Sequence, residues 1–263
     1  MPVLTEAQIE EAATFIKESR GSGGSLSLIP EGFRPETLGD AYRIAQAVRD
    51  PSAVRPEAWK AGASSPKQMS ALGFDSPPRA PLFRNVVCES PAELDASRFH
   101  RCVMEAEVAF RMSGSLPPRA EPYSMEEVRD AVGSAHIAIE AANFPFDDGM
   151  AVGLPSVVAA GLAVGKLVMG PEIEDWRERD LKALEWEVLV DGEVRGQGEE
   201  GEARLDPLGV LQAVANDLAS NGMGLEAGQA VTTGASATPT PATSGQTTVV
   251  RAIGVGEVVA ILG

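Results

Sequence analysis

Apolar residues recur at helical spacing near the start of the chain. Thr5 and Gln8 have the spacing of a capping box. The apolar residues that follow would share one helical face: Ile9, Ala12, Ala13 and Ile16. This pattern predicts a helix that ends near Gly21. A second helix is predicted over residues 37–49, because its apolar residues also lie on one face.

Short apolar runs separated by Gly and Pro begin near residue 59 and predict strands. We predict five strands from these runs, over residues 106–110, 136–140, 184–190, 247–253 and 257–262. The run 184–190 alternates clearly between apolar and polar residues, and Asp191 and Gly192 follow it. An Asp-Gly pair after an alternating run is typical of a tight hairpin.

Two further helices and one loop complete the predicted elements. Ser124 and Glu127 have capping spacing and predict a helix to about residue 132, and Pro207 begins a helix that ends near residue 220. Residues 234–245 have low complexity, and we predict a loop folded against the core. The chain is therefore predicted to be α+β. Residues 1–80 would form a helical N-terminal section, packed on a β-rich catalytic body of residues 81–263 that is a single structural unit.

Composition narrows the possible partners. The 263 residues carry 22 Lys and Arg against 38 Asp and Glu, a formal net charge of −16. Such a surface repels nucleic acids and anionic membranes, which argues against both as partners. Residues 149–165 carry no charge, but Gly and Pro interrupt them, and they do not predict a membrane span. With no basic leader at the start and two cysteines, Cys88 and Cys102, that predict reduced thiols, we expect a cytoplasmic protein.

Glu105 and Glu107 are the first candidates for chemistry. They lie two apart in a predicted strand, so both carboxylates would project from one face among apolar neighbours. Two acids held side by side repel each other and lose hydration, and a divalent cation with oxygen ligands removes both penalties. The alternative is a polar, solvent-facing edge of the strand. Glu140, at the end of the strand 136–140, would add a third carboxylate if the two strands were neighbours.

Lys60 lies between an aromatic residue and a Gly-containing turn. A lysine in a partly buried pocket can balance an anionic substrate or transfer a proton. The alternative is a surface lysine that precedes a turn. His100 and His136 are not part of any nucleophile pattern, and we expect structural roles for both. No phosphate-binding loop, serine-hydrolase elbow or CxxC motif occurs.

Several motifs, in this order, resemble the 2-keto-4-pentenoate hydratase family of the fumarylacetoacetate hydrolase superfamily. They are AYRIAQ (41–46), WKAGASS (59–65), LGFDSPPRAPLF (72–83), MEAEVAF (104–110), AIEAANF (138–144), DGEV (191–194) and VANDLASNGMGLEAGQAVTTGA (214–235). No single motif is decisive, but these seven in the correct order are specific.

The resemblance implies a fumarylacetoacetate-hydrolase-like mixed β-roll or sandwich with a helical N-terminal section. It implies Mg²⁺ or Mn²⁺ bound by the three acids that match the family's carboxylates, Glu105, Glu107 and Glu140. Lys60 matches the catalytic lysine, and Ser65 and Gly234 match substrate-binding positions. It also implies a homodimer or higher homo-oligomer, and a small-molecule 2-keto or 2-hydroxy-dienoic acid substrate of aromatic catabolism.

The chain departs from the family pattern where the hydratases carry an acidic residue and then a glycine. Here those positions are Pro78 and Ala80. A metal-dependent hydratase is the first hypothesis. A decarboxylase of 2-keto-enedioates is the second, because it needs no activated water. An acylpyruvate-type hydrolase is weaker, since no His precedes His100. A scaffold that binds a keto acid without turnover is the remaining alternative.

Overall fold

The computed structural model describes residues 3–21, 25–49, 55–83 and 85–263. Within these ranges the α-helices are α1 (Glu6–Gly21), α2 (Leu38–Val48), α3 (Pro66–Leu72), α4 (Met125–Ala131), α5 (Leu154–Ala159) and α6 (Pro207–Ser220). None of the helices in the described ranges is both long and apolar enough to cross a bilayer.

The strands of the described residues form two sheets. They are β1 (Ala58–Ala61), β2 (Arg79–Leu82), β3 (Val87–Glu89), β4 (Ala92–Leu94), β5 (Cys102–Met112), β6 (Val132–Asn143), β7 (Lys166–Glu172), β8 (Trp186–Val190), β9 (Glu193–Gln197), β10 (Ala230–Thr232), β11 (Thr240–Ala242), β12 (Gln246–Ala252) and β13 (Gly256–Leu262). The larger sheet has the order β2-β1-β10-β5-β6-β7-β3, with β11 paired to one end of β5. The smaller sheet has the order β4-β13-β12-β8-β9.

Parallel pairing joins distant parts of the chain. β1 pairs with β10, β3 with β7, and β4 with β13 in parallel, while the other pairs are antiparallel. Because β10 lies between β1 and β5, residues 230–232 join the strand that carries Lys60 to β5. Parallel strands need a crossover connection, so this arrangement cannot be a simple meander.

The main core lies between the two sheets. One face of β5 and β6 contributes Ala106, Val108 and Ile139, and the smaller sheet contributes Val188 and others such as Val250 and Val258. α4 and α6 close the end of this core. A second cluster joins α1, α2 and α5. Apolar side chains cover the opposite face of the larger sheet: Ala58, Leu82, Ala109, Ala138, Leu167, Met169 and Ala230.

The longest predicted elements are confirmed. The capping box of α1 is present, with the Thr5 amide donating to Gln8 Oε1 at 3.0 Å. α2 is one residue shorter at each end than predicted, because Thr37 caps it and Arg49 has an extended backbone. The hairpin of β8 and β9 turns at residues 191–192 as expected. The loop 234–245 folds against the sheet, but it also contains β11, which the sequence pattern does not predict.

The mixed α and β fold class with helices at the N-terminus is also confirmed. The division at residue 80 stays a prediction. β1 and β2, with residues 58–61 and 79–82, are strands of the larger sheet, so the first part of the chain is not purely helical. Both strands are short and lie near Gly and Pro residues, which weakens a periodic pattern.

Candidate metal centre

Two acids of β5 face the same side of the larger sheet. Glu105 and Glu107 are two residues apart, so they project from one face, and Ala106 between them is buried in the core on the other. The pairing of β5 with β6 places Glu105 opposite Glu140. Residues that lie opposite each other on antiparallel strands share a face. The sheet therefore adds a third carboxylate to the first two.

The three carboxylates meet at one point. One oxygen from each lies within 4.8 Å of the others. The exposed fraction is 0% for Glu107 and 1% for Glu140, while Glu105 is partly exposed. The structure thus brings together the three acids that the sequence singles out. Their role as metal ligands stays a prediction.

Lys60 is buried against this cluster. Its exposed fraction is 3%, and its Nζ forms an ion pair with Glu140 Oε1. Two strands, β10 and β5, separate β1 from β6, so a flat sheet would hold those backbones about 14 Å apart. A lysine and a glutamate side chain meet over that interval only because the sheet curls around the acids. The alternative of a surface lysine is therefore wrong.

The cluster carries more negative charge than Lys60 can neutralise. Three carboxylates and one ammonium sum to −2. Burial, reinforced by the charge of Glu140, raises the pKa of Glu105 to about 7. Burial and the charges of Glu140 and Glu105 raise the pKa of Glu107 well above its usual range. Burial alone would lower the pKa of Lys60, but the neighbouring carboxylates, Glu140 foremost, leave it raised.

Apart from Glu140 Oε1, which forms the ion pair with Lys60, two buried oxygens of the cluster have no hydrogen-bond donor among the described residues, namely Glu107 Oε1 and Glu140 Oε2. Their partner oxygens are engaged, since Glu107 Oε2 accepts from the Gly234 amide at 2.8 Å and Glu140 Oε1 faces Lys60. Buried carboxylate oxygens without partners are costly. A divalent cation would satisfy both and cancel the charge of −2. An all-oxygen donor set fits Mg²⁺ or Mn²⁺.

Gly234 and Ser65 are placed differently. Gly234 contacts the acid cluster through its amide and has a left-handed φ of +97°. Ser65 is the N-cap of α3, where its hydroxyl accepts from the Gln68 amide at 3.2 Å. Ser65 is buried with 3% exposed, and its contribution to substrate binding stays a prediction.

The departure from the family pattern lies directly beside Lys60. Ala80 of β2 is the register partner of Lys60, and Pro78 precedes that strand. The Pro78 carbonyl accepts from the Gly62 amide at 3.0 Å, which ties this segment to the turn after β1. Pro78, where the pattern expected from the resemblance has an acid, therefore lies close to the strand of Lys60.

Two buried hydroxyl residues near the cluster were not singled out from the sequence. Ser64 Oγ donates to the Thr233 carbonyl at 2.6 Å. Thr232 is the register partner of Lys60 in β10, and its hydroxyl is buried without a hydrogen-bond partner among the described residues. The motif WKAGASS contains two adjacent serines, and only the folded backbone shows which of them faces Gly234.

Arg79 of β2 contacts side chains from three other elements, α2, β1 and α6. Its guanidinium lies 5.1 Å from the ring centre of Tyr42 and 5.5 Å from that of Trp59, and its Nε pairs with Asp217. The Arg79 side chain is only 7% exposed. It lines a groove of about 1640 Å³ between α2 and the body. This contact holds α2, α6 and the Lys60 strand together.

The histidines and cysteines lie in local contacts of their own. His136 Nδ1 donates to the Gly170 carbonyl at 3.0 Å, and its Nε2 is 2.9 Å from Ser134 Oγ. His100 Nε2 lies 2.8 Å from an Asp147 oxygen. These contacts support the structural roles expected for both. Both cysteines are free thiols.

A curled sheet backed by a second sheet, with three clustered acids and a lysine on one face, defines an α+β protein whose carboxylates could hold a divalent cation. The chain belongs to the fumarylacetoacetate hydrolase family, since the family model "Fumarylacetoacetate (FAA) hydrolase C-terminal" matches residues 63–262. This confirms the family expected from the motifs.

Two 2-keto-4-pentenoate hydratases are similar to this chain at low sequence identity. The chain is 25% identical over 230 residues to a 2-keto-4-pentenoate hydratase of Burkholderia vietnamiensis (strain G4 / LMG 22486), covering 86% of this chain and 87% of that protein. It is also 25% identical over 231 residues to a 2-keto-4-pentenoate hydratase of Paraburkholderia phymatum, covering 87% of each.

Solved structures share the fold at lower identity. The 4-oxalocrotonate decarboxylase from Pseudomonas putida G7 superimposes with a TM-score of 0.85 and 22% identity over 100% of both chains, in complexes with calcium and acetate and with magnesium and adipate. Fumarylpyruvate hydrolase from Pseudomonas aeruginosa, in complex with Mn²⁺ and pyruvate, gives a TM-score of 0.57 at 15% identity, covering 78% of this chain and 89% of that one.

Proposed function

We propose that this chain is a divalent-metal-dependent lyase of 2-keto or 2-hydroxy-dienoic acids, with 2-keto-4-pentenoate hydratase activity as the first candidate. The observation that carries the proposal is the cluster of Glu105, Glu107 and Glu140, whose buried oxygens lack donors beside a buried Lys60. The two relatives named as hydratases cover most of the chain and support the choice. The proposed partners are a 2-keto acid and further copies of the chain, in a homodimer or larger assembly.

In this proposal Glu105, Glu107 and Glu140 hold Mg²⁺ or Mn²⁺. The bound cation supplies Lewis-acid stabilisation of negative charge on the substrate's 2-oxygen. The neighbouring carboxylates, Glu140 foremost, raise the pKa of Lys60 in the metal-free chain. Lys60 would offset the charge of an anionic substrate, and it would orient the substrate or relay a proton.

The reaction has two parts. The 2-hydroxy-dienoate first loses its enol proton and gains one on carbon, which produces a 2-keto acid with one remaining carbon–carbon double bond. Water then adds across that bond, with its hydroxyl on one carbon and its proton on the other. In this proposal Lys60, whose Nζ pairs with Glu140 in the acid cluster, relays the proton that the carbon gains.

Glu105→Gln tests the site because it removes one carboxylate with little change of shape. We expect loss of Mn²⁺ binding by isothermal titration and loss of dienoate turnover by ultraviolet absorbance, together in the same variant. Glu93→Gln, at an exposed strand position, is the matched control and should change neither. Full activity of the wild type after complete chelation would refute the proposal.

A decarboxylase of 2-keto-enedioates is the second candidate. The specific observation in its favour is Pro78, because an apolar residue stands where the hydratase pattern has an acid, close to the Lys60 strand. Mass spectrometry of the products separates the two candidates. Hydration adds about 18 mass units to a dienoate, whereas decarboxylation of an enedioate releases CO₂ and removes about 44.

A further inference from the structure

One peptide group connects Ser64 to the acid cluster. The Thr233 carbonyl accepts from Ser64 Oγ at 2.6 Å, and the amide of the same peptide, on Gly234, donates to Glu107 Oε2 at 2.8 Å. Both hydrogen bonds are buried, with exposed fractions of 2% for Ser64 and 0% for Thr233 and Glu107. A hydroxyl, a peptide and a carboxylate therefore form one continuous chain.

The backbone around this peptide is held closely. A Cβ on Gly234 would lie 2.0 Å from Ser64 Oγ, so position 234 has no room for a side chain. Its φ of +97° also favours glycine. Thr233 Oγ1 donates to the Val108 carbonyl at 2.9 Å, which ties the same segment to the residue after Glu107.

The chain of hydrogen bonds determines which Glu107 oxygen is free. Oε2 is occupied by the Gly234 amide, so Oε1 is the oxygen that lacks a donor in the described part of the molecule. A hydrogen bond to a peptide carbonyl polarises the group and strengthens the bond that its amide donates. Loss of the Ser64 hydroxyl would leave the buried Thr233 carbonyl without that donor and allow the peptide to rotate.

We propose that Ser64 is a positioning residue, which orients the 233–234 peptide so that Glu107 presents Oε1 to a divalent cation. This inference rests on the proposed function, since it takes Glu107 as a metal ligand. Groups that orient metal ligands from outside typically change metal affinity by about 10- to 100-fold when removed. Ser64 touches the ligand only through the peptide.

The test measures Mn²⁺ affinity of the full chain by isothermal titration, independently of activity. We expect Ser64→Ala to weaken binding by about tenfold or more. Ser64→Cys keeps most of the volume with a much weaker donor, and should also weaken binding if Ser64→Ala does not fold. Ser124→Ala removes the N-cap hydroxyl of α4, away from the cluster, and serves as the control, which should lower stability without changing affinity.

A second readout follows the peptide itself. In metal-free protein, the ¹H resonance of the Gly234 amide should move upfield in Ser64→Ala, because its hydrogen bond to Glu107 weakens. Wild-type Mn²⁺ affinity in the folded Ser64 variants, with an unmoved Gly234 resonance, would overturn the role of Ser64 and leave the proposed function standing. A wild type that binds no Mn²⁺ would overturn both.

Discussion

Glu107→Gln should stabilise the metal-free chain and remove most of the stabilisation that a divalent cation gives. At the 4.8 Å that bounds the three carboxylates, two charges repel by roughly 3 kcal/mol at an effective dielectric constant of about 20. Protonation of the carboxyl groups lowers this repulsion, since the pKa values of Glu105 and Glu107 are raised. We therefore expect the metal-free variant to exceed the metal-free wild type in unfolding free energy by about 1 to 3 kcal/mol.

The direction of the pKa shift of Glu105 determines the pH at which the experiment should be done. Glu105 has a pKa of about 7 in the folded chain against a usual 4.5. The folded chain therefore retains a proton that the unfolded chain releases, and stability falls as pH rises from about 4.5 to about 7. At pH 8 Glu105 is mostly ionised in the folded metal-free chain, so the repulsion within the cluster is larger there than at pH 5, and the variant should differ more from the wild type at pH 8 than at pH 5.

Thermal unfolding followed by circular dichroism at pH 8 measures the effect. Mg²⁺ at a hundred times its dissociation constant should stabilise the wild type by about 2.7 kcal/mol, a rise in Tm of roughly 5 to 11 °C. Glu107→Gln should gain far less, and Glu93→Gln should behave as the wild type. The reasoning fails if metal-free Glu107→Gln is the less stable protein, or if Mg²⁺ raises its Tm as much as that of the wild type.

Three other predictions concern residues outside the cluster. Asp217→Ala leaves the buried Arg79 without its carboxylate and should lower the unfolding free energy in urea by about 2 to 3 kcal/mol, and a loss below about 1 kcal/mol would contradict this. The hydrogen bond from Arg119 is the largest cause that lowers the pKa of Glu127 to about 2. The stabilisation that ionised Glu127 contributes should therefore persist below pH 4.5 and disappear only as the pH falls towards 2. A titration midpoint of the Glu127 carboxyl above 4 by NMR would contradict this. Burial raises the pKa of Cys102 to about 12 from 9.0, so at pH 8 its alkylation by iodoacetamide should be about a thousandfold slower than that of an unperturbed thiol, and rapid labelling of the native protein would be inconsistent with this.

The elements that the sequence predicts well are those with local causes. α1 and α4 begin at capping residues, and β8 alternates before an Asp-Gly turn, so the reasons for their structure lie within a few residues. β1, β2 and β11 are short, and β1 and β11 pair with strands that are far away in the chain. Their existence depends on the sheet that receives them, and no periodic pattern within them indicates it.

The same distinction applies to the site. Glu105 and Glu107 can be paired from the sequence because strand residues two apart share a face. Glu140 joins them through a register that spacing alone does not determine. The burial of Lys60 depends on the curl of the sheet, and the choice between Ser64 and Ser65 depends on the direction in which the backbone turns into α3. Neither is encoded in a short motif.

The position of β10 has a consequence for synthesis of the protein. Its residues 230–232 are inserted between β1 and β5, so the strand of Lys60 is not joined to the strand of Glu107 until that late segment has emerged from the ribosome. The glutamates on β5 and β6 are translated long before the lysine can reach them. A nascent chain therefore carries an unbalanced set of acids for much of its translation, and a complete centre forms only after residue 232 has left the exit tunnel.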